Sequence, residues 1–300
     1  GQVWYNTTST VLKGFGQQGT GAWAAGGTLN TGRGSMGSAG TNTAALAIGG
    51  NASGNFVESY DGTSWTEGAN LPTPTSTLFG LGSQTAALAG GGGSGTNINY
   101  TWNATSWTAN NTMNTARFAM GGTGTTTAGL IMGGKTSPSA VSVKSETYDG
   151  TSWTEAGDLT TALSYVSAGG SQTAALRVFG SAPGNSALVE EYNGTTWTEV
   201  NDLNQARNTL SSAARDGTVS SMFVWGGSSP ATPADTVNTE QYNGTSWTEV
   251  ANLALGRSQG AGGGTALNAF TTGGSSVSSD TLTSTEIWST PNATKTFTAT

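Results

Sequence analysis

The chain has 300 residues, of which 9% are charged, a net charge of −7, and neither Cys nor His. Those absences exclude disulfides, zinc, copper or haem sites built on Cys or His, and Ser-His-Asp or Cys-His catalysis. The acidic balance offers no basic patch for nucleic acid, and no run of about 20 apolar residues exists to insert in a membrane.

Hydrophobic residues make up 34% and Gly contributes 47 residues. Together they reach the globular norm of roughly 45–50%, enough to build a core rich in Ala and Gly. The charged share is far below the roughly 25% of ordinary soluble domains. Thr, Ser, Asn and Gly take the place of charge on the surface. Such short side chains lose little rotamer entropy on ordering, and Thr suits exposed strands. This surface is expected of extracellular and viral fibre proteins. The start at Gly1, without Met, is expected of a fragment or a processed product.

Residues 1–20 stand outside the pattern that follows. Gly1 to Lys13 reads as strand, polar turn, strand. From Trp23 onward the chain repeats, and a repeat decides the fold before any local reading does. Trp followed six residues later by Leu or Met recurs at Trp23, Trp65, Trp107, Trp153, Trp197 and Trp247. Four residues further on stands Arg at Arg33, Arg117, Arg207 and Arg257, while Thr75 and Leu163 break that column. A small-residue segment comes next, then an Ala/Leu segment ending in a Gly pair. A variable stretch then leads into Glu-x-Tyr-(Asp/Asn)-Gly-Thr-(Ser/Thr)-Trp, with Trp102 and Trp288 in the Tyr place of two units.

Asp-Gly and Asn-Gly predict type I′ hairpins, so Tyr and Trp flank a turn between antiparallel strands. The Gly pair predicts a strand end where backbones crowd. Small residues suit the narrow centre of a ring of sheets, and Trp and Tyr suit its wide periphery. The prediction is an all-β, six-bladed β-propeller with four antiparallel strands per blade over residues 21–290. Residues 1–20 form an attachment hairpin and 291–300 a tail. The sixth blade lacks a closing Trp, because that position is Ala293, while Trp23 has no blade before it. The strand around Trp23 is expected to complete the last blade and remove a free edge. The alternative is that Lys295-Thr296-Phe297-Thr298 supplies that strand.

The Gly pair followed by Tyr and Trp resembles the kelch repeat over roughly residues 23–289, with departures at Arg177 and Phe179. The N-terminal hairpin is similar to those preceding receptor-facing domains of phage tail fibres. Thr43-Ala44-Ala45-Leu46 and Thr85-Ala86-Ala87-Leu88 resemble repeat-rich proteins of marine phages. A plain surface hairpin is the competing reading of residues 1–20. Kelch propellers include a copper radical oxidase, protein-binding adaptors and sugar isomerases. The oxidase needs the missing Cys and His, and intracellular adaptors carry far more charge.

The resemblance implies a non-enzymatic phage tail fibre or virion surface appendage, exposed on the virion and serving host recognition or assembly. Its partners would be other virion proteins and a host surface glycan or receptor, with self-association left open and no cofactor. The alternatives are a secreted or cell-surface bacterial glycan-binding propeller and a polysaccharide-degrading enzyme.

Arg33, Arg117, Arg207 and Arg257 form a column that either rings the channel mouth to bind an anion or acidic sugar, or bonds to loop carbonyls and a Glu of an adjoining blade. The second reading leads, because repeat position alone explains it. Glu58, Glu146, Glu191, Glu240 and Glu286 before the Tyr place, and Glu67, Glu155, Glu199 and Glu249 after Trp, recur in nearly every blade. A catalytic pair would break the repeat at one place, so they are read as structural or solvent-exposed. Departures from the repeat are the better ligand candidates: Tyr165, Arg177 and Trp225, with Phe179, Arg215 and Asp216. The loops 90–99, 135–143 and 228–236 join them, since loops on rigid scaffolds carry binding.

Overall fold

The computed structural model describes residues 2–6, 11–17, 20–51, 54–181, 184–209, 219–229, 232–279 and 281–297. Six antiparallel blades stand around a channel, as the repeat predicts, five of them four-stranded among the described residues. The first blade runs from its innermost strand Gly37–Thr41 through Ala44–Gly50 and Gly54–Tyr60 to the outermost, Trp65–Glu67. The second spans Phe79–Gly82 to Trp107–Ala109, the third Gly121–Thr125 to Trp153–Glu155, and the fourth Ser167–Gly170 to Trp197–Val200. Three strands of the fifth are described, Phe223–Trp225, Thr239–Tyr242 and Trp247–Glu249; residues 210–218, with Arg215 and Asp216, lie outside the described residues.

The sixth blade decides how the ring closes. Ala261–Gly264, Asn268–Thr272 and Thr285–Ser289 are completed by Ala22–Gly26 from the start of the chain, with Trp23 opposite Trp288. Its innermost strand abuts that of the first blade. Lys295, Thr296 and Phe297 pair instead with Lys13, Leu12 and their neighbours. Asn292–Phe297 joins Gln2–Asn6 and Val11–Gln17 in a separate three-stranded sheet, so Ala293 sits opposite Gly16. Thr298 lies outside the described residues.

The aromatic motif works at the periphery. Each outermost Trp lies directly across from the Tyr-place residue, for example Tyr60 with Trp65 at 4.9 Å and Trp102 with Trp107 at 5.2 Å between ring centres. All but that of Trp153, which is buried without a partner, the indole N–H groups then reach to the preceding blade. Trp65 donates to Thr285 Oγ1 (3.0 Å), Trp197 to Ser145 Oγ (3.2 Å), Trp247 to the Asn201 carbonyl (3.0 Å) and Trp23 to Thr239 Oγ1 (3.1 Å). A buried Trp fills the gap between blades while its polar edge finds a partner, which suits this residue to blade seams.

The turn between these aromatic residues differs from type I′. Gly62 has φ +95° but neither Asp61 nor Thr63 has a positive φ. The Asp61 carboxylate holds the loop by accepting N–H bonds from Thr63 and Ser64, both at 2.8 Å. Asn103, Asn193 and Asn243 do the same in other blades. A side-chain acceptor replaces the second positive φ as the source of turn stability.

At the centre the small residues are demanded by contact. A Cβ on Gly80 would stand 2.5 Å from the Ser38 nitrogen, on the next inner strand.

Candidate functional site

The arginine column lies inside the blades. Arg33, Arg117, Arg177, Arg207 and Arg257 are fully buried and ion-paired with Glu58, Glu146, Glu190, Glu240 and Glu286. The bonds span 2.7 Å for Arg117–Glu146 and Arg207–Glu240 and 2.9 Å for Arg257–Glu286. The glutamate in the fourth blade is Glu190, not Glu191, because the register puts residue 190 opposite Arg177. The partner glutamate belongs to the blade that the arginine introduces, rather than to an adjoining one.

Each pair fastens a loop. Arg117 Nη1 donates to the carbonyls of Gly133 (3.0 Å) and Lys144 (2.6 Å), and Arg257 does likewise to Gly273 and Ser284. The second glutamate oxygen accepts the backbone N–H just after the repeated Leu or Met: Asn30 for Glu58, Asn114 for Glu146, Asn204 for Glu240 and Ala254 for Glu286. The two side chains thus fix the connection that enters each blade. Burial draws the guanidinium pKa of Arg117, Arg177, Arg207 and Arg257 below its ordinary value, and the facing glutamate opposes that shift. Such groups are shielded from any ligand at the mouth.

Arg177 explains the break at Leu163. It springs from the second strand rather than the entering loop, yet brings its guanidinium to Glu190 all the same. Phe179 beside it is fully buried with φ +40°. Trp225 is likewise interior, packed on Trp23 (5.2 Å) and Phe223 (5.5 Å) at the seam of the last two blades. The residues Glu67, Glu155, Glu199 and Glu249 are exposed on the outer strands. Among the described residues no three carboxylates converge as a metal-ligand set.

The mouth of the channel is built two residues beyond the arginine column. Ser35, Thr77, Ala119, Tyr165, Thr209 and Gln259 all take left-handed backbone, with φ of 56°, 54°, 54°, 55°, 49° and 57°. This region is unfavourable for any residue with a Cβ and most so for β-branched Thr; each instance costs on the order of 1–3 kcal/mol and persists only when its surroundings impose it. Here the neighbours do. The N–H of Ser35 donates to the Gln259 carbonyl (2.7 Å), Thr77 to Ser35 (2.7 Å), Ala119 to Thr77 (2.8 Å), Tyr165 to Ala119 (2.7 Å) and Gln259 to Thr209 (2.6 Å). Blade thus hands to blade through a collar of backbone hydrogen bonds.

All six residues line a cavity of about 100 Å3 at the channel mouth. Ser35 Oγ donates to Gln259 Oε1 at 2.7 Å, and the ammonium of Lys135, from the hairpin Lys135–Ser137/Ala140–Val141, stands 5.3 Å over the Tyr165 ring. The mouth therefore offers hydroxyls, a carboxamide and one half-buried phenol ring with a cation above it. Of the candidates read from sequence, Tyr165 lines the cavity and Lys135, from the 135–143 loop, stands over its ring. The other five collar residues escaped notice because their chemistry varies; only their constant offset from the arginine column marked them.

No protein family matches the chain, and no curated protein matches it in sequence. Solved structures are similar to it in fold, in 376 chains. YjhT superposes with a TM-score of 0.73 over 90% of this chain and 99% of that one, at 12% identity. That likeness is one of fold. A six-bladed propeller hosts many chemistries, so the function has to be argued from the mouth.

Proposed function

We propose that this chain is a non-enzymatic virion protein, a phage tail fibre or surface appendage of kelch-like repeats, whose channel mouth binds a neutral glycan of the host surface. One observation carries the reading: the collar keeps its backbone geometry in all six blades while its side chains change. The Arg, Glu and Trp columns repeat because the fold uses their side chains. At the collar the element that recurs is the backbone, whereas the side chains are Ser, Thr, Ala, Tyr, Thr and Gln in turn, a variation that a ligand can read. Hydroxyl and amide groups around an aromatic face suit a sugar, which needs hydrogen-bond partners for its rim and an apolar surface for its C–H face.

The low charge of the surface and the N-terminal hairpin support the virion setting. Mass spectrometry of purified particles should find the chain among structural proteins; its absence from them sinks that part of the proposal. A glycan array should give neutral ligands whose binding falls at least about tenfold in Tyr165→Ala, a loss of roughly 1.4 kcal/mol. Release of reducing ends from a bound glycan would instead favour a degrading enzyme.

A further inference from the structure

One blade departs from the repeat in both members of the ion pair at once. Where the arginine column fails before the fourth blade, Arg177 restores the guanidinium. Nothing restores it in the second. Thr75 occupies the arginine column, and Tyr100 occupies the glutamate register, opposite Ala89 and Ala109 as Glu58 is opposite Ala47 and Glu67. Thr75 Oγ1 donates to the Gly91 carbonyl at 3.1 Å, taking the place of the bond that Arg117 makes to Gly133. The Tyr100 hydroxyl is held by Thr73 Oγ1 at 2.9 Å.

Between these residues lies a cavity of about 200 Å3, walled by Leu71, Leu78, Ala89, Ile98 and Tyr100 and by the backbone of the Gly90 to Gly93 run. Its floor is buried, whereas Ile98 is 41% exposed and marks the entrance. The Ile98 carbonyl accepts the Gly91 N–H at 2.9 Å. Its counterparts Lys144, Asn238 and Ser284 accept that same backbone bond and one from an arginine as well. An acceptor position served by arginine elsewhere thus borders the cavity.

Apolar residues that replace a buried ion pair ordinarily fill its volume, since a void forfeits the contacts of every atom around it. This blade traded the pair for a void with an entrance. We propose that the cavity of the second blade is a binding site for a small phenolic molecule, its ring between Leu71, Leu78 and Tyr100 and its hydroxyl donating to the Ile98 carbonyl. An apolar cavity of about 150 Å3 in another protein takes benzene, so the space suits a single substituted ring. Of its apolar walls only Leu78 also lines the channel mouth; Leu71, Ala89, Ile98 and Tyr100 do not.

The test is methyl-resolved NMR of the whole chain titrated with phenol, with benzene and with N-acetyltyrosinamide. Phenol should give saturable shifts at Leu71, Leu78 and Ile98 and bind at least several-fold tighter than benzene, which lacks the donor. Binding of N-acetyltyrosinamide as well would mean the ring can arrive as a partner's tyrosine side chain; its failure to bind would assign the site to free molecules. Thr75→Arg with Tyr100→Glu rebuilds the repeat's ion pair and should weaken phenol at least about tenfold. Thr75→Met, which only fills space, should do the same and serves if the double variant does not fold. No saturable shift in the native chain, or equal affinity in the folded variants, overturns the proposal.

Discussion

A single side chain in this protein answers either to the fold or to the outside, and the arginines show how completely the first can hold. Removing one member of a buried ion pair leaves a desolvated charge, at a cost of about 3–5 kcal/mol. Glu146→Ala should lower unfolding stability by that amount in denaturant titration, whereas Glu155→Ala, exposed on the next strand, should stay within about 0.5 kcal/mol. Asp61 and Asp149 carry the acid sensitivity of the turns. Backbone N–H bonds from Ser64 and Thr63, and from Ser152 and Thr151, hold their carboxyls below the ordinary 3.8. Because the folded pKa is depressed, the unfolded chain binds more protons over that window. The stabilisation is present above the ordinary value and lost as pH falls through the depressed one. Asp61→Asn with Asp149→Asn should flatten that part of the stability-against-pH curve while keeping the turns, since Asn103, Asn193 and Asn243 already make the same bonds.

At the scale of elements, the same position in the repeat serves different ends in different blades, and the collar gives the sharpest contrast. Thr77 and Thr209 hold a backbone conformation natural only to glycine. Thr77→Gly should relieve that strain and leave the melting temperature unchanged or raised, subject to the extra chain entropy of glycine. The same change at Tyr165 should remove glycan binding with no comparable loss of stability, which separates display from support. The outer strands behave oppositely. Trp197→Phe keeps most of the buried ring but gives up the bond to Ser145, and should cost on the order of 1 kcal/mol plus packing adjustments, read by chemical denaturation.

The whole molecule depends on a closure made by chain ends far apart in sequence. Ala22–Gly26 covers the strand Thr285–Ser289, which would otherwise present a row of unpaired N–H and C=O groups. Removing residues 1–26 should therefore lower the melting temperature and promote self-association on size-exclusion chromatography. Removing residues 1–19 takes away two strands of the terminal sheet but leaves Trp23 on Trp288, and should leave the propeller cooperatively folded.

Much of this was legible without coordinates. Six Trp-headed units, the Gly pairs and the mismatch between Trp23 and Ala293 determined a closed ring of six blades, because strand periodicity and edge avoidance admit few arrangements. Sequence also singled out Tyr165. For the arginine column it favoured bonds within the fold over a ligand, and it offered Arg177 and Trp225 to a ligand; all of these side chains are buried, and a repeat column shows that a side chain recurs and not which way it faces. Two facts belonged to the tertiary structure alone. One is that Arg177 and Glu190 stand in for a missing column member, which depends on register between strands. The other is the collar, because hydrogen bonds from blade to blade hold six residues of five kinds in one strained conformation, and no local preference among Ser, Thr, Ala, Tyr and Gln announces it.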